Sequence, residues 1–221
     1  METQHTENNF EEFEKYDVLS DRDIFTEIWT SPRRVFKFIN DTQYEKHLYI
    51  LLFFGGISRA FDRATTKDMG DTSSLLSIVL GAVILGGALG WISYYIYAAL
   101  LSWTGKWLNG VGNTSSIYRI TGYTIFPSVL SLIFLVPQMA VYGNDVFRDV
   151  NYDSAGTFGN IIFWVSVFFQ VALSLTTIVF MVIGLSEVQK FSTGKAILNI
   201  ILPIAVIIIP IVLVASLFWI F

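Results

Sequence analysis

The residues best placed by type to do chemistry are Arg59, Asp62 and Arg63, in the stretch LYILLFFGGISRAFDRATT. If one helix runs through it to Thr66, positions three and four apart become neighbours, and Arg59, Asp62, Arg63 and Thr66 share a face. Two readings are open for such a group. A charge inside a membrane segment marks a solute or ion path by default. An arginine near a helix end, in contrast, lays its stem along apolar surface and carries its guanidinium to the interface beside a local acid. The second arrangement is the expected one.

Other chemistry is sparse. The chain has no cysteine, so no thiol nucleophile, disulfide or zinc-thiolate site is available. His5 and His47 are the only histidines, neither has a second ligand at metal-binding spacing, and no cofactor is expected. Asp145, Asp149 and Asp153 recur every four residues and could hold a divalent cation weakly, but a solvated acidic loop is the commoner source of that pattern. FSTGKA at 191–196 resembles the end of a phosphate loop, yet Gln189 stands where the first glycine belongs and Ala196 where Ser or Thr belongs. An enzymatic role is therefore not expected.

The elements that must position these residues are apolar. Of 221 residues, 53% are hydrophobic and 14% charged, with mean hydropathy +0.58, which places the chain in the membrane class. The longest uncharged stretch, SLLSIVLGAVILGGALGWISYYIYAALLS, would reach about 43 Å as a helix at about 1.5 Å per residue, more than a hydrocarbon core of about 30 Å. Within it Ala82, Gly86 and Gly90, continued by Ala98 and Ser102, form a ladder of small residues broken only by Tyr94. This spacing lets a second helix approach backbone to backbone, either in a dimer or, as expected for a chain with several spans, within one molecule.

The expected fold is all-α: a polytopic bundle of about five spans, near 48–66, 74–102, 117–142, 160–185 and 196–221, together forming one membrane domain over 48–221. Pro127, Pro137, Pro203 and Pro210 should kink the third and fifth spans. Gln138, Gln170, Thr176, Thr177 and Asn199 suit hydrogen bonds between helices.

Two regions precede the spans. Residues 1–30 hold nine acids against Lys15 and Arg22, so a nucleic acid partner is not expected; the start reads as a mobile cytoplasmic tail on which Phe10 and Phe13 could dock a partner. Ser20 and Asp23 form a capping box ahead of a short helix. Over 31–47, Ser31 can cap, Pro32 suits a first helical turn, and Val35, Phe36, Phe38 and Ile39 form an apolar face beside Arg33, Arg34 and Lys37. That pattern suits an amphipathic helix in the membrane plane with its bases toward anionic headgroups; the rival is a helix docked on a partner.

With the N-terminus inside and five spans, ten Lys and Arg fall inside and four outside: Arg59, Arg63, Lys67 and Arg148. Four spans with a re-entrant first segment give the same totals. Five are preferred because the alternative exports both later lysine-bearing loops. Asn113-Thr114-Ser115, a formal glycosylation acceptor, then falls inside and is set aside. Trp103 and Trp107 suit an interface, with Gly105, Gly110 and Gly112 supplying tight turns.

From about Ile28 to the end the chain resembles the Yip domain family, the Ypt-interacting proteins, in what look like its bacterial members. The likeness rests on IWTSPRRVF, GGISRAFDRA, LSWTGKWLNG, YRITGYTIFP and the five-segment layout. Its most telling piece is Gly122-Tyr123-Thr124 followed by Pro127, similar to the family's Gly-Tyr-Ser-x-x-Pro. The resemblance implies a cytoplasmic N-terminus, five spans in what would be a bacterial inner membrane, and no catalytic residues. In eukaryotic members it implies roles in vesicle transport through Rab-type GTPases and in membrane shaping. The chain lacks the Asp-Leu-Tyr-Gly-Pro type of segment, so a Rab-type GTPase is not an expected partner. The expected role is a scaffold or adaptor binding lipid and other membrane proteins or itself; the alternative is a small-solute transporter or channel built on Arg59, Asp62 and Arg63.

Overall fold

The computed structural model describes residues 18–149 and 156–220. Phe10, Phe13, His5 and Asp153 lie outside the described residues. Nine α-helices are described there: α1 (Asp21–Glu27), α2 (Pro32–Asp41), α3 (Leu48–Thr66), α4 (Leu75–Gly81), α5 (Ala88–Trp107), α6 (Thr114–Thr124), α7 (Phe126–Tyr142), α8 (Gly156–Gln189) and α9 (Thr193–Ile220). A π-helical turn, Ala82–Gly87, joins α4 to α5 without a break. Four helical stretches are long and apolar enough to cross a membrane: Leu75–Trp107, Thr114–Phe147, Gly156–Gln189 and Thr193–Pro210. α3 runs over 19 residues and bears three charges in its last two turns.

Local sequence explains the helix ends. Ser20 accepts from the Asp23 amide at 3.3 Å while Asp23 accepts from the Ser20 amide at 3.0 Å, so the capping box forms and starts α1. Pro32 sits in the first turn of α2, but Ser31 makes no side-chain cap. Its amide instead donates to the Glu27 carbonyl at 2.7 Å, which holds Ser31 as a continuation of the preceding turn. Pro127 does more than kink its span. The helix stops at Thr124 and restarts at Phe126 with Pro127 in the new first turn, where its missing N–H costs no hydrogen bond. Pro137, Pro203 and Pro210 lie inside continuous helices.

Two apolar cores hold the bundle. One joins α1, α2 and the start of α3 to α6 and the end of α8, through Ile24, Ile28, Phe36, Leu48, Ile120 and Leu185. The other joins the end of α3 to α4 and the end of α7, through Ile57, Phe61, Ile78, Ala82, Tyr142 and Phe147. The apolar face of α2 is thus covered by protein: Val35, Phe36 and Ile39 are fully buried, against α6 and α8. Arg33, Arg34 and Lys37 remain exposed, and Arg34 pairs with Glu27 at 2.7 Å.

Candidate functional site

The small-residue ladder is met from within the chain. A Cβ on Gly90 would lie 2.6 Å from the Gly56 Cα, and one on Gly86 would lie 2.6 Å from the Ala60 Cβ and 2.8 Å from the Gly56 carbonyl oxygen. α3 therefore crosses the π-helical turn and α5 backbone to backbone. Ala82 is buried in the same seam. The π turn, which widens the helix by one residue, falls at this crossing.

That close crossing leaves a groove of about 760 Å³ beside it, bounded by α3 on one side and by α4, the π turn and α5 on the other. Arg59 and Arg63 both line it. Arg59 departs from the expected course toward the helix end. Its guanidinium lies over the Tyr94 ring, 5.6 Å from the centroid, near the middle of the Leu75–Trp107 stretch. Helical side chains incline toward the helix N-terminus, which here leads inward. Tyr94 is fixed in turn, donating its hydroxyl to the Gly55 carbonyl at 3.2 Å. Among the described residues no carboxylate ion-pairs with Arg59 or Arg63.

Asp62 and Thr66 do not share that groove. They line a separate polar cleft of about 330 Å³, with Ser58, Ser128, Gln138 and Gln170 contributed by α3, α7 and α8. Gln170 donates to Gln138 at 2.9 Å, and Ser58 donates to the Ser128 carbonyl at 3.1 Å. The single polar face read from helical spacing is thus split between two cavities, because α4 and α5 flank α3 on the groove's side and α7 flanks it on the cleft's side.

Several other polar groups are engaged within the chain. Arg119, buried, donates through Nε and Nη2 to one oxygen of Glu45 at 3.1 and 2.9 Å. Asn199 donates to the Leu101 carbonyl at 3.1 Å and to Thr104 Oγ1 at 2.7 Å. Gln189 accepts from the Gly112 amide at 2.9 Å and donates to the Asn199 oxygen at 3.3 Å. Gly110 and Gly112 are there to admit Gln189 and Phe191 closely, and the left-handed turn residue is Asn109, φ 65°. Thr176 and Thr177 do not bridge helices. They donate back to Ala172 and Leu173 of their own helix. At the opposite end Arg148 donates to the Gly70 carbonyl at 2.9 Å and pairs with Asp71 and with Asp145.

The motif Gly122-Tyr123-Thr124 with Pro127 forms the corner at which α6 gives way to α7. Gly122 admits the Leu48 side chain; Tyr123 is fully buried and its hydroxyl accepts from the His47 amide at 3.4 Å; Thr124 donates to the Thr121 carbonyl at 2.9 Å. These residues lock the start of α3 onto the α6–α7 break. The Yip1 domain model matches residues 26–214, which takes in this corner, the α3 crossing and all four long apolar stretches. The chain belongs to the Yip1 family. It is a multi-pass integral membrane protein of that family. No match was found among curated proteins or among solved structures.

Beside this Yip1 core, α1 is tied down by charge. Asp21 accepts from Tyr44 at 2.6 Å and from Lys46, and these hydrogen bonds, led by that of Lys46, hold its carboxyl down at about 2. Burial, and then the same Asp21 contact, push the Tyr44 hydroxyl up.

Proposed function

We propose that this Yip1-family protein is a non-enzymatic membrane scaffold, with five spans, a cytoplasmic N-terminus and a place in a bacterial inner membrane. One observation carries the reading: α1 and α2 are locked onto one end of the bundle, while the spans keep most of their apolar surface outward. Only 11% of the best α8 window is buried, with Phe158, Trp164 and Phe168 among its exposed side chains. A rigid cytoplasmic cap joined to a broad apolar circumference suits a protein that meets lipid, copies of itself or other membrane proteins. The exposed bases Arg33 and Lys37 on α2 suit anionic headgroups at the rim of that cap. α3 is the fifth span in this reading; with Arg59 and Arg63 inside that span, ten Lys and Arg on the N-terminal side against Lys67 and Arg148 on the other support the orientation.

Crosslinking in native membranes, followed by native mass analysis in mild detergent, tests it. Discrete oligomers or defined heteromeric species are expected. Monomer alone, with no protein recovered alongside it, would contradict the reading. The polar cleft at Asp62 favours solute transport as a second reading, one that solute flux in proteoliposomes abolished by Asp62→Asn, with folding intact, would promote.

A further inference from the structure

The groove beside the α3 crossing has a second property beyond the scaffold reading. It follows the Leu75–Trp107 stretch from Ser77 to Leu100, 23 residue steps or about 35 Å at about 1.5 Å each, close to the thickness of a bilayer's hydrocarbon core of about 30 Å. Its walls are largely apolar, with Leu85, Leu89, Ile96 and Leu100 along its length. Two guanidiniums, Arg59 and Arg63, face into it one helical turn apart, and among the described residues neither has a carboxylate partner.

With α3 as a span, on the reading proposed above, a cation at this depth is expensive unless an anion answers it. Asp62, the nearest acid in sequence, lines the other cavity and feels the Arg59 charge at a distance without forming an ion pair with it. Tyr94 offers Arg59 the face of its ring, which stabilises a cation only modestly and leaves the guanidinium's hydrogen-bond donors free to turn to a ligand. What completes the site must bring acceptor oxygens with net negative charge and, on the same molecule, an apolar chain to lie along the leucines. Planar guanidinium forks match phosphate oxygens in pairs, which a single ammonium does not.

We propose that the groove binds an anionic phospholipid of the surrounding bilayer, its phosphate between Arg59 and Arg63 and one acyl chain along Leu85, Leu89, Ile96 and Leu100. The charge pattern selects against a zwitterionic lipid, whose own ammonium cancels the attraction, and the apolar walls select against a free inorganic anion.

The test uses the full chain purified in mild detergent, titrated with phosphatidylglycerol or phosphatidylcholine and examined by native mass spectrometry. The wild type should retain phosphatidylglycerol in preference to phosphatidylcholine. The double variant Arg59→Gln, Arg63→Gln should weaken phosphatidylglycerol retention by about tenfold, in line with losing a charge-assisted contact. The double variant Arg22→Gln, Lys190→Gln, at two exposed bases away from the groove, should leave it unchanged. In parallel, phosphatidylglycerol with a photoreactive acyl chain should crosslink the wild type within 85–100, a readout that needs no variant to fold. Retention in the groove variant equal to wild type would overturn the proposal, as would loss confined to the control variant or crosslinks lying wholly outside 85–100.

Discussion

The end of the bundle that carries α1 and α2 and the groove beside α3 treat polar groups in opposite ways. At that end, Arg119 has Glu45, Gln189 has Gly112 and Asn199, and Asn199 has Leu101 and Thr104. In the groove, Arg59 has the face of a tyrosine ring, and neither it nor Arg63 has a carboxylate among the described residues. A buried polar group that is fully hydrogen-bonded stabilises one structure, whereas a cation held without a counter-charge costs stability and implies something that binds it. The difference separates the residues that build this Yip1 protein from those available to act.

That contrast can be broken in graded ways. The largest effect is expected at the crossing itself. Gly56→Leu drives a side chain into the backbone of Gly86 and Gly90, which has no means of yielding as a flexible side chain would. A loss of about 3 kcal/mol, or failure to fold, is expected in thermal unfolding in mild detergent. Next, Asn199→Leu takes the donor from Thr104 Oγ1 and one of two side-chain contacts from both the Leu101 carbonyl and the Gln189 amide, and should cost about 1 to 2 kcal/mol in the same assay. Arg119→Met should cost about 1 kcal/mol, because Glu45 is half-exposed and can turn to water when its partner goes.

Arg59→Gln should change stability by less than about 0.5 kcal/mol without lipid, or raise it, since no ion pair is lost. A loss there as large as that of Asn199→Leu would erase the distinction between the two regions. The smallest effect belongs to Asp21. Its carboxyl is depressed from 3.8 to about 2 in the folded chain, so its contribution is complete above about 3.8 and lost as pH falls toward 2. Hydrogen exchange of the α1 amides should quicken across that interval, with α8 unaffected.

Much of the architecture was legible because membrane helices announce themselves by length and hydropathy, and Leu48–Thr66 by the apolar run that ends in its charges. The capping box at Ser20 and the engagement of Gln138, Gln170 and Asn199 were readable for the same local reasons. The separation of Asp62 from Arg59 and Arg63 was not. Helical spacing places residues on a face, but only the packing of α4 and α5 on one side of α3 and of α7 on the other divides that face between two cavities. Arg119 was counted as a loop base, since nothing local pairs it with Glu45 across 74 positions. The inward course of Arg59 depended on Tyr94, 35 residues away, standing where its guanidinium could settle.

The central claim is that α3 crosses the bilayer and carries Arg59 and Arg63 within it. The chain has no native cysteine, so single cysteines at Lys37 and Lys67, both exposed and flanking α3, can be labelled in sealed membranes from either side with an impermeant maleimide. The account predicts that the two positions react from opposite faces. Labelling of both from the same face would show that α3 turns back, and would contradict it.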